Sequence, residues 1–423
     1  MVLATSPAVM RNEVGFMVRL RFPSLLTRCL AALSLIAALL TQAWAKPKFR
    51  VLANVSGGLW NGVSLDAKGN LWGVTSGGGN GGGSVFELSP QPGGRWTLAT
   101  IHSFNDQEGS GPVGRLIFDR AGNVYGTTLN SPSGGGMVYE LTPGSTGRVL
   151  TVLHDFEVDG IEGDHPSGLV MDAAGNLYGV GGGGGTNGFG VAFELSPGSG
   201  GWTEQVLYDF GAHGYDAIDP SGPLLLDRDG SLYGTTMRGG TQEGGTVFRL
   251  LPGSGGPWRE RLLYSFCRGG GACTDGAEPL SGVIRDGQGT FYGTTNVGGG
   301  HSCYDTSCGA VFKLRQMRGG AWQETVLYGF ADPSLGFGPG TNGVVLDRAG
   351  NLYGARGLGG NDQCQEGCGV VYRLTLRGKG DWEYGVLHKF SFTDGSVPNG
   401  GLVIDGRGDL YGTAYDVEFE VSP

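Results

Sequence analysis

The stretch GPLLLDRDGSLYGTTMRGGTQEGGTVFRLLPGSGGPWRERLLYSF, residues 222–266, holds four short runs rich in strand formers, each followed by turn-forming residues. The runs are GPLLLD (222–227), SLYGTT (231–236), GTVFRL (245–250) and WRERLLYSF (258–266). Asp227-Arg228-Asp229-Gly230 joins the first two. Aspartate in such a turn accepts backbone hydrogen bonds, and glycine supplies φ > 0. Pro-Gly-Ser-Gly-Gly (252–256) joins the last two. The stretch reads as one four-stranded antiparallel unit.

The same unit recurs along the chain. Asp-x-x-Gly followed by a short aromatic strand begins at Asp66, Asp119, Asp172, Asp227, Asp286, Asp347 and Asp405, at spacings of 53, 53, 55, 59, 61 and 58 residues. A fixed period of this kind marks a repeat architecture. Four-stranded antiparallel units repeated radially make a β-propeller, so seven copies predict an all-β, seven-bladed propeller. The seventh copy offers GLVID, DLYGTA and VEFEVSP, one strand short, whereas KFRVLANVS (48–56) resembles the fourth strand ETVLYGF (324–330). The N-terminal strand is therefore predicted to complete the last blade. A linear array would instead carry polar capping units. The expected domain is a single propeller over 46–423.

In such a ring the connections between strands one and two, and three and four, share one face. Connections from strand two to three, and from strand four to the next blade, share the other. The second set is longer here and carries all the paired cysteines. The glycine run at 181–185 is expected to form one of these long connections.

Residues 1–45 differ in kind. Arg11, Arg19, Arg21 and Arg28 precede the end of the apolar run CLAALSLIAALL (29–40), and Ala43-Trp44-Ala45 has the small residues that a signal peptidase reads. The run is short for a membrane span. An uncleaved anchor is the competing reading; cleavage predicts a secreted or periplasmic chain beginning at Lys46, with translation starting at Met1 or Met17. Removal of this segment changes 29 basic and 39 acidic residues to 25 and 38, a net charge of −13. Such a surface repels phosphate backbones and anionic headgroups, so nucleic acid is excluded as a partner, as is membrane insertion of the mature chain, which is expected to be a monomer.

Six cysteines remain in close pairs: Cys267 with Cys273, Cys303 with Cys308, and Cys364 with Cys368. In an exported chain an even number reads as disulfides, and pairing within each loop is the simplest connectivity. The spacings fit a zinc site poorly.

The phrase D-x-x-G-N-L-Y-G-T-T, then Gly-Gly, then G-x-V-F-E-L-x-P resembles the GloVer-type (Gloeo/Verruco) tandem repeat of choice-of-anchor bacterial exported proteins. The similarity extends over 46–423 and is best kept in the copies at Asp119, Asp227 and Asp347. The resemblance implies export but carries no activity. Many members end in a surface-anchoring segment; here the final repeat runs to Pro423, and no anchor is expected after it.

The chain lacks H-E-x-x-H, G-x-S-x-G and Walker motifs. His102, His154 and His388 alternate with Tyr208, Tyr264 and Tyr328 in the fourth strands and read as packing positions with a polar tip. His213, His301, Tyr215 and Tyr304 lie in long loops. His165 directly precedes a repeated proline, and Asp219 and Glu278 hold the equivalent slot. Acids gather before the inner strands: Asp106, Glu108, Asp159, Asp164, Asp216, Asp275 and Asp394. A ring of carboxylates at the channel mouth, with Asp164, His165, Asp219, Asp275, Glu278 and Asp394 as its ligand-binding members, could hold Ca²⁺ or sugar hydroxyls. Ordinary acidic loop surface is the plainer reading, and no cofactor is required. The sequence thus favours a non-enzymatic binding or scaffold propeller recognising a glycan or protein through its long-loop face. The alternative is a metal-assisted hydrolase or lyase acting on an extracellular polymer or lactone.

Overall fold

Aspartate in the repeated turn does more than close it. Asp66 Oδ1 accepts the N–H groups of Lys68 (2.8 Å) and Asn70 (2.9 Å), and Gly69, at φ +86°, donates back to the Asp66 carbonyl at 3.1 Å. Its second oxygen takes the Asn70 amide at 2.9 Å and the Trp72 indole N–H at 3.1 Å. Asp119, Asp172, Asp286, Asp347 and Asp405 hold the phenols of Tyr125, Tyr178, Tyr292, Tyr353 and Tyr411 in the same manner. One carboxylate thus fixes both the turn and the aromatic at the second position of the second strand.

The structure is a computed structural model that describes residues 46–423 apart from 59–60, 146, 159, 215, 254–256, 270, 272, 301–308, 331–342, 361–363 and 365–366. Residues 1–45, where a signal peptide is expected, together with Asp159, Tyr215, His301, Tyr304 and the Cys303 and Cys308 expected to pair, lie outside the described residues. Seven four-stranded antiparallel sheets form a ring, a seven-bladed β-propeller. Blade four comprises Ala217–Leu226, Leu232–Gly239, Thr246–Leu251 and Arg259–Ser265 in that order from the axis outward. Blade seven closes as expected: Lys48–Asn54 pairs antiparallel with Val417–Ser422, Lys48 opposite Ser422 and Asn54 opposite Val417. Cys267–Cys273 and Cys364–Cys368 are disulfide-bonded within their loops.

Two boundaries differ from the sequence reading. The inner strand of blade four starts at Ala217, with an irregularity between Ser221 and Leu225. That of blade three splits into Asp164–Pro166 and Val170–Met171. Gly181 and Gly183, expected in a connection, pair with Pro166 and Asp164 and so extend the second strand. Partner backbone, rather than local propensity, decides these ends.

Blades are joined by seven apolar seams. Six of the seven outer strands end in a buried phenylalanine that packs on the third-strand aromatic of the next blade, edge-on in Phe104 on Tyr139 at 5.1 Å, Phe210 on Phe248 at 5.2 Å and Phe390 on Phe419 at 5.1 Å. Such pairs add about 0.5–1.5 kcal/mol beyond their area. At the closing seam Val55 replaces the phenylalanine, packed with Phe86, Leu71 and Tyr411. Room for the third-strand ring comes from a second-strand glycine. A Cβ added at Gly234 would lie 2.5 Å from Phe248 Cζ, and one at Gly412 would lie 2.7 Å from Phe419 Cζ.

Outside the apolar seam runs a polar one. Tyr208 donates to Asp216 at 2.9 Å, Tyr264 to Asp275 at 2.8 Å, and His388 faces Asp394 at 3.1 Å. His102 and His154 sit 3.4 Å from Glu108 and Glu162. The expected packing role of the alternating His/Tyr slot is therefore met, with the acids before the next inner strand as its partners. A glutamate on the next outer strand packs behind three of these acids. Burial first, and the neighbouring carboxylate second, raise Glu204 to about 7, Glu324 to about 8 and Glu260 to about 10, beside Glu162, Asp275 and Asp216 respectively. Each leaves one oxygen buried without a hydrogen-bond partner.

Deleting residues 48–54 removes the Val417–Ser422 pairing, the Phe49 stack on His388 at 3.5 Å and the Arg50–Glu420 ion pair. Each lost backbone bond is worth about 0.5–1.5 kcal/mol against a typical total of about 5–15 kcal/mol. The deleted protein should show no cooperative thermal transition by circular dichroism. Returning the segment after Pro423 through a linker should restore it; an unchanged melt on deletion would contradict ring closure. A second expectation concerns pH. The three glutamates bind protons more tightly folded than unfolded, so their contribution is complete below about 4.5 and is lost as pH rises through their folded values. Between pH 7 and 9, where His102 and His388, lowered by burial, are already neutral, stability should fall. The slope expected from Glu260 alone is about 1 kcal/mol per pH unit, and Glu260→Gln should flatten the calorimetric profile.

Candidate functional site

The seven inner strands meet at the axis through residues with almost no side chains. Four positions before each turn aspartate stand Gly62, Arg115, Gly168, Pro223, Gly282, Gly343 and Gly401, and all seven line one central cavity of about 800 Å³. Glycine is required by crowding. A Cβ at Gly62 would lie 1.9 Å from the Gly400 carbonyl oxygen, and one at Gly282 would lie 2.5 Å from that of Pro223. Hydrogen bonds lace neighbouring blades here. Gly114 N–H donates to Asn61 Oδ1 (3.0 Å), Gly282 N–H to Thr235 Oγ1 (3.1 Å), Thr127 Oγ1 to the Ser167 carbonyl (3.1 Å) and Thr413 Oγ1 to the Asn61 carbonyl (3.0 Å).

Leu129, His165 and Gly182 bring the cavity to the long-loop end, and Val113, Leu224 and Leu280 give it apolar walls. A second cavity, lined by Val63, Leu116, Val345 and Val403, continues towards the short-turn face. Arg115 lines both. Its Nη2 donates to the Leu402 carbonyl at 2.7 Å, crossing from blade two past Gly62 to blade seven. Part of the side chain is open to the channel, yet protein surrounds it on every side; poor solvation brings its pKa down to about 10. It remains a cation at neutral pH, in a cavity whose described lining includes no carboxylate.

The expected carboxylate ring does not assemble around this cavity. Of the six residues singled out, His165 lines it; its Nδ1 lies 2.8 Å from Oδ1 of the buried Asp164. Asp219 is ion-paired with Arg238 on the second strand of its own blade, and Glu278 accepts at 3.0 Å from the amide of Asn296, which directly follows the second strand of its blade. Asp275 and Asp394 are held in the outer polar seam, Asp394 also accepting from Ser391 N–H at 2.7 Å. Among the described residues no three His, Cys, Asp or Glu side chains group as a metal site would need. The slot of His165, Asp219 and Glu278 has a backbone explanation instead. With Gly111 and Val397, these residues adopt φ of +50° to +65° before a proline. The N–H groups of Gly111, Asp219, Glu278 and Val397 donate to carbonyls of the preceding blade's long connection at 2.8–3.0 Å.

Sequence reasoning missed Arg115 and Asn61. The signal for Arg115 was present: with the copies aligned on their turn aspartates, it is the one side chain that extends beyond a proline ring in its column.

Structural comparison finds the same fold in proteins of low sequence identity. A streptogramin B lyase matches with a TM-score of 0.54 and 14% identity, over 90% of this chain and 99% of that one. A fungal alcohol oxidase in complex with copper gives 0.55 and 13%, over 90% and 77%. The extracellular domain of a hybrid two-component system from B. thetaiotaomicron gives 0.50 and 13%, over 88% and 39%. At these identities the likeness is one of fold alone. Among curated protein sequences there is no match. The Gloeobacter/Verrucomicrobia repeat matches residues 59–306 and 219–419, and with nearly the whole ring so accounted for, the chain belongs to the Gloeobacter/Verrucomicrobia repeat family.

Proposed function

We propose that the protein is an exported, non-enzymatic binding propeller that recognises a glycan or a protein at its long-loop face. The observation that carries this reading is the axial cavity of about 800 Å³, built from equivalent turns of all seven blades. Its volume lies in the range of small-ligand sites, with apolar walls and a few fixed polar groups. Asn61, Ser167 and Asn399 offer hydrogen bonds at its rim, and Arg115 offers a charge at its base. A projecting sugar or side chain with an acceptor group would be held by such a lining. The bonded cysteine pairs and the repeat family are consistent with export.

One observation favours catalysis as a second reading. His165, oriented by the buried Asp164 at the cavity rim, has the arrangement of a general base and its positioning carboxylate. A base alone, however, defines no reaction.

Leu129 is 39% exposed at the cavity mouth, so Leu129→Trp should narrow the mouth without disturbing the core. Screening the purified protein against an array of extracellular polysaccharide fragments should return at least one ligand, with binding reduced at least tenfold by Leu129→Trp. Ligand binding that Leu129→Trp leaves intact would place recognition elsewhere. Turnover of a bound fragment that His165→Ala abolishes would replace binding by catalysis.

A further inference from the structure

The face opposite the long loops carries a feature that axial binding does not use. Facing the Trp or Tyr at the start of each second strand (Trp72, Tyr125, Tyr178, Tyr233, Tyr292, Tyr353 and Tyr411) stands one third-strand residue, and its charge changes around the ring. It is Glu87, Glu140, Glu194 and Glu420 in blades one, two, three and seven. In blades four, five and six it is Arg249, Lys313 and Arg373. Where blade four meets blade five, this basic arc deepens into a pocket of about 400 Å³ with Arg249, Arg261, Arg285 and Arg315 in its walls and Trp322 at its side.

The pocket has an unbalanced charge. Asp229 pairs with Arg249 and Asp227 with Arg285, which accounts for both of its carboxylates. Among the described residues Arg261 and Arg315 have no ion-pair partner, so two positive charges are left over in a mature chain of net charge −13. Arg261 stands directly opposite Arg249 across the sheet, a like-charge pairing that destabilises. Arg249 Nε is buried without a hydrogen-bond partner. The local turn is also rewired. Asp227 turns to Arg285 rather than to the phenol of its own second strand, and Arg249 and Arg285 lie over the Tyr233 ring at 5.4 and 5.9 Å. The blade gives up its usual clamp and gains a cluster of guanidinium groups.

We infer that this pocket binds a carboxylate-bearing sugar, the uronate unit of an acidic polysaccharide. Guanidinium groups match a carboxylate bidentately and are weakly hydrated, so Arg261 and Arg315 supply the anion contacts. Trp322, half-buried against Phe291 at 5.5 Å, supplies an apolar wall for the sugar ring. The site is independent of the axial cavity and lies on the other face.

The test is calorimetric titration of the purified protein with tetragalacturonate, maltotetraose, inorganic sulfate and inorganic phosphate. Tetragalacturonate should bind, maltotetraose should not, and affinity should fall as salt rises from low to high, since the pocket is solvent-accessible. Arg261→Gln with Arg315→Gln should weaken binding at least tenfold without lowering the thermal midpoint, because both side chains are exposed. As a readout that needs no variant, tetragalacturonate should protect Arg261 and Arg315 from phenylglyoxal. Absence of tetragalacturonate binding, or equal binding of maltotetraose, would overturn the inference. Sulfate or phosphate binding as tightly as tetragalacturonate would reduce the pocket to a bare anion site. Loss of tetragalacturonate in Leu129→Trp would move the ligand to the axial cavity, whereas failure of the axial proposal alone leaves these outcomes untouched.

Discussion

In each blade an aromatic ring of the third strand occupies the space that a side chain of the second strand would fill. Phe248 does so over Gly234, Phe193 over Gly179 and Phe312 over Gly293, where an added Cβ would come within 2.5–2.6 Å of the ring. Several features depend on this contact. The ring is held within its own sheet and meets the preceding blade's phenylalanine edge-on or tilted, so that six seams are filled by aromatics from both sides. At the axis the inner strands then crowd until glycine or proline fills six of the seven positions, with Arg115 at the seventh, and the cavity lining is left mostly to backbone. Dense packing of this kind tolerates few changes of volume.

Much of the fold was legible because its determinants are local and repeated. The turn aspartate, its glycine and the following Tyr-Gly lie within one short segment, and seven copies fix the period. The closing strand was legible from a count, three strands at one end of the chain and one at the other. What could not be read was how partners from other blades use each residue. Asp275 and Asp394 look like free loop acids in the sequence, but each is bound by an outer-strand tyrosine or histidine, a slot read from the sequence as a packing position with a polar tip of unknown partner. Asp219 and Glu278 look like site residues because they are charged beside a proline, although the slot is set by left-handed backbone and an interblade hydrogen bond. Glycine hides chemistry most completely, since a cavity lined by it has no side-chain signature.

The two faces therefore present different chemistry on one scaffold. The long-loop face leads to a largely apolar cavity whose described lining includes one arginine, Arg115, bonded to the Leu402 carbonyl. The short-turn face carries an arc of glutamates over four blades and an arc of basic residues over three. Repetition supplies the frame, and departures from it supply function: Arg115 in a column of glycines, Arg249 in a column of glutamates, Asp229 in a turn that elsewhere lacks it. In a family defined by its repeat, such departures are where members would differ in what they bind.

A double-mutant cycle on Gly234 and Phe248 addresses the contact on which the rest depends. Gly234→Ala alone should cost about 1–3 kcal/mol by overpacking. In a Phe248→Leu background, where the atom nearest the new methyl is gone, the same change should cost much less, giving a coupling of about 1 kcal/mol or more from denaturant unfolding. Additivity of the two changes within about 0.5 kcal/mol would show that the glycine is not there to admit the ring, and would contradict the account of how these blades are built.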